Sequence, residues 1–229
     1  MRAPRFSPKA IVFLRGLKRH NSREWFNARK AQYEELVRAP MLEVVEHLAV
    51  DFQEFAPEVA AGPRSIFRIY RDTRFSEDKS PYKTQVSAAF PDKRLPKRGG
   101  AALYMEVAPG WVWVGGGMYA PDTPLLRKVR EHVASNLRRF RSIVESPAFR
   151  RKVGTLEGGQ KLQRVPRGFP PDHPAAEYLR FRRFVAGRQF PSSFATSPRF
   201  YPGVVGIFRH LMPLIRLLNE PLIGAGTKS

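Results

Sequence analysis

The chain has 229 residues, of which 42% are hydrophobic and 12% aromatic. That is enough apolar material for a buried core and excludes a disordered chain. Lys and Arg number 40 against 20 Asp and Glu, a net charge of +20, and the absence of cysteine excludes disulfides, thiolate-held metals, iron–sulfur clusters and cysteine nucleophiles.

The length favours one domain, expected over residues 6–218 with a C-terminal tail at 219–229. Its first elements read as helices. Ser7-Pro8 places a capping residue ahead of a proline at the first helical position, and Ile11, Val12, Leu14 and Leu17 follow. Asn21-Ser-Arg-Glu24 has the form of a capping box with Asn21 as the cap, opening a helix that presents Trp25, Phe26, Arg29, Tyr33 and Leu36. Pro40 starts a third helix carrying Met41, Val44, Val45, Leu48 and Phe52, which ends before Pro57.

From Arg64 the period changes to that of strands. Ser65–Arg71 alternates, with Phe67, Ile69 and Arg71 on one face and Arg68, Tyr70 and Asp72 on the other. Thr84–Phe90, Ala101–Val107 and Trp111–Val114 read as further strands. Ala108-Pro109-Gly110 reads as a type II turn with Gly110 at positive φ, and Gly115–Gly117 as a loop or bulge. Helices return at Asp122-Thr-Pro124, with Leu125, Val129 and Val133, and at Ser146-Pro147. Residues 154–174 form a Gly- and Pro-rich ordered loop, followed by a helical turn at Tyr178-Leu179, an edge strand at Phe184-Val185 and a last helix capped by Ser197-Pro198. Helices, a meander and helices again imply an α+β fold, a single domain with an antiparallel sheet packed by N- and C-terminal helices.

The N-terminal apolar run Ile11–Leu14 is too short for a signal-peptide core, and Val204–Leu218 is broken by Arg209, His210, Pro213 and Arg216. A cytoplasmic protein without a membrane partner is expected. Residues 127–188 carry 16 basic and 5 acidic residues, and within them Phe140, Phe149, Phe169, Phe181 and Phe184 alternate with arginines. Exposed rings beside Arg138, Arg139 and Arg141 would suit single-stranded nucleic acid; otherwise the rings are core and the arginines are solvated.

The densest constellation runs from Arg68 to Lys83. Arg68, Arg71, Arg74, Lys79 and Lys83 offer cations to a phosphate or carboxylate, Asp72 and Asp78 orient them, and Tyr82 adds a hydroxyl. Pro81 keeps Ser80 extended, aiming the turn at 76–78 back at the strand. Asp72, Glu77 and Lys79 are also similar to the acidic-x-Lys pattern of magnesium-dependent nucleases, in which carboxylates hold the metal and a lysine polarises water. A third reading makes the same charges an Arg–Asp network that only holds the fold. The five histidines show no paired zinc spacing, and no cofactor motif is legible.

Arg68-x-x-Arg71-Asp72-x-Arg74-Phe75, followed by Asp78-Lys79-Ser-Pro-Tyr82-Lys83, resembles the signature of the bacterial and fungal proteins grouped as domain of unknown function 2461. Asn21-Ser-Arg-Glu24-Trp25-Phe26, Gly115-Gly-Gly117-Met-Tyr119 and Pro166-Arg-Gly168-Phe169 resemble its secondary blocks, in order, and the likeness covers residues 6–190. His20-Asn21 departs from it, since a double asparagine is commoner there. The resemblance implies a single domain and brings no established activity. The function expected from the residues is binding of an anionic small molecule, a nucleotide or nucleic acid at the Arg68–Lys83 cluster, with oligomeric state left open.

Overall fold

The computed structural model describes residues 3–74, 76–96 and 99–223. Backbone packing divides the chain into two compact units, Met1–Ala89 with Tyr104–Val114 and Gln189–Val205, and Phe90–Leu103 with Gly115–Arg188 and Gly206–Ser229. The fold is α+β, with a four-stranded antiparallel sheet in the order β1-β2-β3-β4. The strands are β1 (Val86–Pro91), β2 (Ala102–Val107), β3 (Trp111–Met118) and β4 (Phe184–Pro191).

In the first unit, α1 (Pro8–Arg19) buries Ile11, Phe13, Leu14 and Leu17 behind Pro8 at its start. The helix expected across 24–36 is instead two: α2 (Arg23–Asn27) and α3 (Lys30–Tyr33), separated by a turn at Ala28-Arg29. Helix α3 continues through a wide π turn, Glu34–Arg38, into α4 (Ala39–Phe55). Pro40 explains that turn. It has no N–H and its ring crowds the carbonyl four residues back, so the ladder widens and Ala39 N–H bonds to Glu34 O, five residues away. Beyond it, Met41, Val44, Val45, Leu48 and Phe52 are buried at the expected spacing.

Alternation builds the sheet. Leu103, Met105 and Val107 of β2 and Val112 and Val114 of β3 are buried, while Tyr104, Glu106, Trp111 and Trp113 on the other face are half-buried. Gly110 is not left-handed, so the expected type II turn does not form. The loop closes instead through Ala108 N–H on Trp111 O at 2.8 Å. Gly115–Gly117 lie within β3 rather than in a loop, because the neighbouring strands pass too close for side chains. A Cβ on Gly116 would stand 2.6 Å from Ala102 O, and one on Gly117, at φ +129°, would collide with Phe184 O.

The second unit holds α5 (Thr123–Ser135), α6 (Leu137–Val144), α7 (Pro147–Lys152) and α8 (Ala176–Leu179). Asp122 caps α5 by accepting Leu125 N–H at 2.9 Å, and Ser146 caps α7 by accepting Phe149 N–H at 3.2 Å. The last helix, α9 (Phe200–Asn219), packs on the sheet, with Phe208 edge-on to Phe90 of β1 and ring centroids 5.7 Å apart. At its end the buried Asn219 pairs with both backbone groups of Ala101, at 2.7 and 3.1 Å.

Candidate functional site

The signature segment enters through a short turn, Pro63–Ser65, and then runs extended. The strand expected over 65–71 is not continuous. Ile66 bridges Ala88 of β1, and Phe67 N–H bonds to Ser87 O at 2.9 Å. The chain then changes partner. Tyr70 bridges Tyr82, with Lys83 N–H on Ile69 O at 2.8 Å and Arg71 N–H on Pro81 O at 2.9 Å. Two short pairings replace one ladder, and the return from Pro81 meets the outgoing segment as the Pro81 geometry predicts.

Tyr82 anchors this return. It is 3% exposed and stacks on Phe26 of α2 with ring centroids 4.2 Å apart. Tyr70 packs against both rings while remaining 49% exposed. Burial pushes the Tyr82 phenol up, so this side chain is an apolar anchor rather than a displayed hydroxyl. Asn21 completes the anchor. Its amide donates to Tyr82 O at 2.9 Å and its carbonyl accepts Tyr82 N–H at 3.1 Å, as a neighbouring strand would. Asn21 is therefore not the helix cap; Ser22 takes that place, accepting Trp25 N–H at 3.2 Å.

Between the two pairings the charges satisfy one another. Asp72 takes a two-pronged bond from Arg74, at 3.0 and 2.8 Å, and also accepts Arg74 N–H at 3.3 Å. Asp78 accepts from the Arg71 guanidinium, from Ser80 N–H at 2.9 Å and from the Ser80 hydroxyl at 2.5 Å. The bonds from Arg74 hold the Asp72 carboxyl down at about 2, and those from Ser80, then Arg71, hold Asp78 at about 2. Lys79 donates to Thr73 O at 3.0 Å. Phe75 lies outside the described residues.

Arg68 and Lys83 behave differently. Lys83 Nζ donates to Arg68 O at 3.0 Å and sits 5.2 Å from the centre of the Phe67 ring. Burial, and the Arg68 charge, push the Lys83 ammonium down. No carboxylate lies within ion-pair distance of the Arg68 or Lys83 side chain among the described residues, although the Asp72 charge reaches Arg68. Phe67, 42% exposed, begins an aromatic row on the open face of the sheet: Phe67 to Tyr104 is 6.2 Å and Tyr104 to Trp113 is 5.9 Å. Glu106 closes the row, accepting the Tyr104 hydroxyl at 2.9 Å, and burial pushes its carboxyl up. The row was absent from the candidate residues, although the alternation of β2 and β3 already placed Tyr104 and Trp113 on one face of the sheet.

For the metal pattern, Asp72 is committed to Arg74, Lys79 to a backbone carbonyl, and Glu77 is exposed without an ion pair among the described residues. No three His, Asp or Glu side chains gather closely enough among the described residues to hold a metal ion. Phe140, Phe149, Phe181 and Phe184 are buried, so those rings do not stack on bases. No helix of the described residues is long and apolar enough to cross a membrane.

These features define an α+β protein whose antiparallel meander carries a charged loop, pinned at its base by an aromatic anchor. The chain belongs to the DUF2461 family of conserved hypothetical proteins, whose family model matches residues 9–216. That span takes in the loop, the whole sheet and all but the end of α9. Comparison with curated proteins gives no match.

Proposed function

We propose that the protein binds a phosphate-bearing ligand with an aromatic ring, a nucleotide or a nucleotide unit of a single strand, where Arg68 and Lys83 meet the Phe67–Tyr104–Trp113 row. The observation that carries this reading is two adjacent cations outside any ion pair beside an aromatic row that is exposed at Phe67 and half-buried at Tyr104 and Trp113. The cations take the phosphate by charge-assisted bonds, and a base stacks on the row. Glu106 offers an acceptor to an amino group on the base. Arg71, Asp72, Arg74 and Asp78 shape the loop, which is the part of the signature that a purely structural role accounts for. The magnesium-dependent reading draws no support from Asp72, Glu77 or Lys79 as they are placed.

Titration with adenosine and guanosine mono- and diphosphates, followed by calorimetry and tryptophan fluorescence, tests it. Binding is expected to quench Trp113. Replacing Arg68 and Lys83 with Ala is expected to weaken it by about 10- to 100-fold, the worth of one charge-assisted bond or a little more. Undiminished binding in that variant, or no binding by the wild type, contradicts the assignment.

A further inference from the structure

In the second unit, the helical period of α5 turns Leu126, Val129, Arg130 and Val133 inward together. Arg130 thus occupies a core position and is 8% exposed. Its guanidinium makes one hydrogen bond, from Nη2 to Phe181 O at 2.7 Å, and its Nε is buried without a partner. An arginine cannot shed its proton in a protein, so the charge persists, and a buried charge lacking a counter-ion is costly. The residues flanking Phe181 add to the excess. Arg180 precedes it and Arg182 and Arg183 follow, and the Nε atoms of Arg180 and Arg183 are also buried and unpartnered. Burial, and the Arg182 charge, push the Arg130 guanidinium down.

Seven of the eight acids of the unit are engaged elsewhere. Glu131 pairs with Arg127 at 2.8 Å, Glu157 with Arg183 at 3.2 Å and Glu177 with Lys161 at 3.3 Å. Glu145 accepts the Tyr178 hydroxyl at 2.6 Å, Glu220 holds Arg139 and His132, Asp92 holds Arg94, and Asp122 caps α5. None faces Arg130.

We propose that Arg130, with Arg182 beside it, is a second anion site, one that takes a phosphate group. A phosphate oxygen accepts from the planar arginine fork in two-pronged fashion and supplies the negative charge the unit lacks. Both arginines belong to the second unit, and the proposal does not depend on the function proposed at Arg68 and Lys83.

The test uses the full chain, prepared free of phosphate. Thermal unfolding is followed with inorganic phosphate against potassium chloride at equal ionic strength, and binding to the native protein is read by phosphorus NMR and calorimetry. A saturable rise of about 5–10 °C is expected at a hundredfold excess over Kd. Arg130→Met is expected to abolish it, Arg182→Ala to weaken binding several-fold, and the Arg68/Lys83 double variant to retain it. Should Arg130→Met not fold, the surface variant Arg182→Ala still reads the site by NMR. Adenosine monophosphate and a 5′-phosphorylated oligonucleotide serve as competitors: displacement of inorganic phosphate identifies a phosphate carried on a larger molecule, and its absence identifies free phosphate. No saturable binding by the wild type, or binding unchanged in the arginine variants, overturns the proposal.

Discussion

The two arginine-rich regions have opposite electrostatics. In the Arg71–Asp78 loop each arginine meets an aspartate; the Arg74–Asp72 pair lies in solvent, and in the other Asp78 is exposed while Arg71 is half-buried. Around Arg130 an arginine sits in a core position, and no carboxylate forms an ion pair with it among the described residues. The loop has the denser motif and the fewer uncommitted charges. Residues 127–188 carry a net excess of 11 basic residues, and among them is the buried guanidinium that lacks a counter-ion. Compensation, rather than the number of cations along the chain, separates a charge that shapes the fold from one that awaits a ligand.

The comparison can be broken most forcefully at the base of the loop. If apolar stacking rather than ion pairing holds it, Tyr82→Ala costs about 3–5 kcal/mol in denaturant unfolding, as for other large buried aromatics. A loss below about 1 kcal/mol would show that the ring on Phe26 is not the anchor. Asn21→Ala comes next, at about 1–3 kcal/mol, because it strips both backbone groups of Tyr82 of their partner. Arg130→Met is expected to leave stability in phosphate-free buffer within about 1 kcal/mol of wild type or to raise it, since it removes a buried charge that lacks a counter-ion. A large destabilisation would mean that the guanidinium is already compensated.

The exposed pairs sharpen the contrast from the other side. Asp78→Asn and Arg71→Ala are each expected to leave the denaturant midpoint close to that of wild type, because solvent screens the pair. The acid dependence has a definite sign. With folded-state values of about 2, Asp72 and Asp78 stay ionised below the ordinary carboxylate range, so their contribution is full above about pH 4 and fades as the pH falls to about 2. Carboxyl chemical shifts followed by NMR between pH 5 and 1.5, set by the about 4 and about 2 limits of those groups, should show both titrating late.

Much of the fold was legible because its signals are local. The spacing of Met41 to Phe52, the alternation of β2 and the caps at Asp122 and Ser146 each act within one element. What was illegible depends on distant partners. Asn21 sits in a local capping pattern but spends its amide on Tyr82, 61 residues on. Residues 65–71 alternate like one strand but divide between two partners. The Gly115–Gly117 run reads as a loop until the carbonyls of Ala102 and Phe184 are beside it. In the candidate site, the Asp72–Arg74 pair spans only two residues, whereas the Phe67–Tyr104–Trp113 row and the isolation of Arg130 require the assembled units.

The central claim is that Arg68 and Lys83, not the paired arginines of the same signature, take the ligand. Parallel calorimetric titrations of nucleoside diphosphate into the wild type, the Arg68/Lys83 double alanine variant and Arg74→Ala test it most directly. A loss of about 10-fold or more confined to the double variant, with Arg74→Ala within about twofold of wild type, is the predicted result. Equal losses in both variants, or binding indifferent to either, would contradict it.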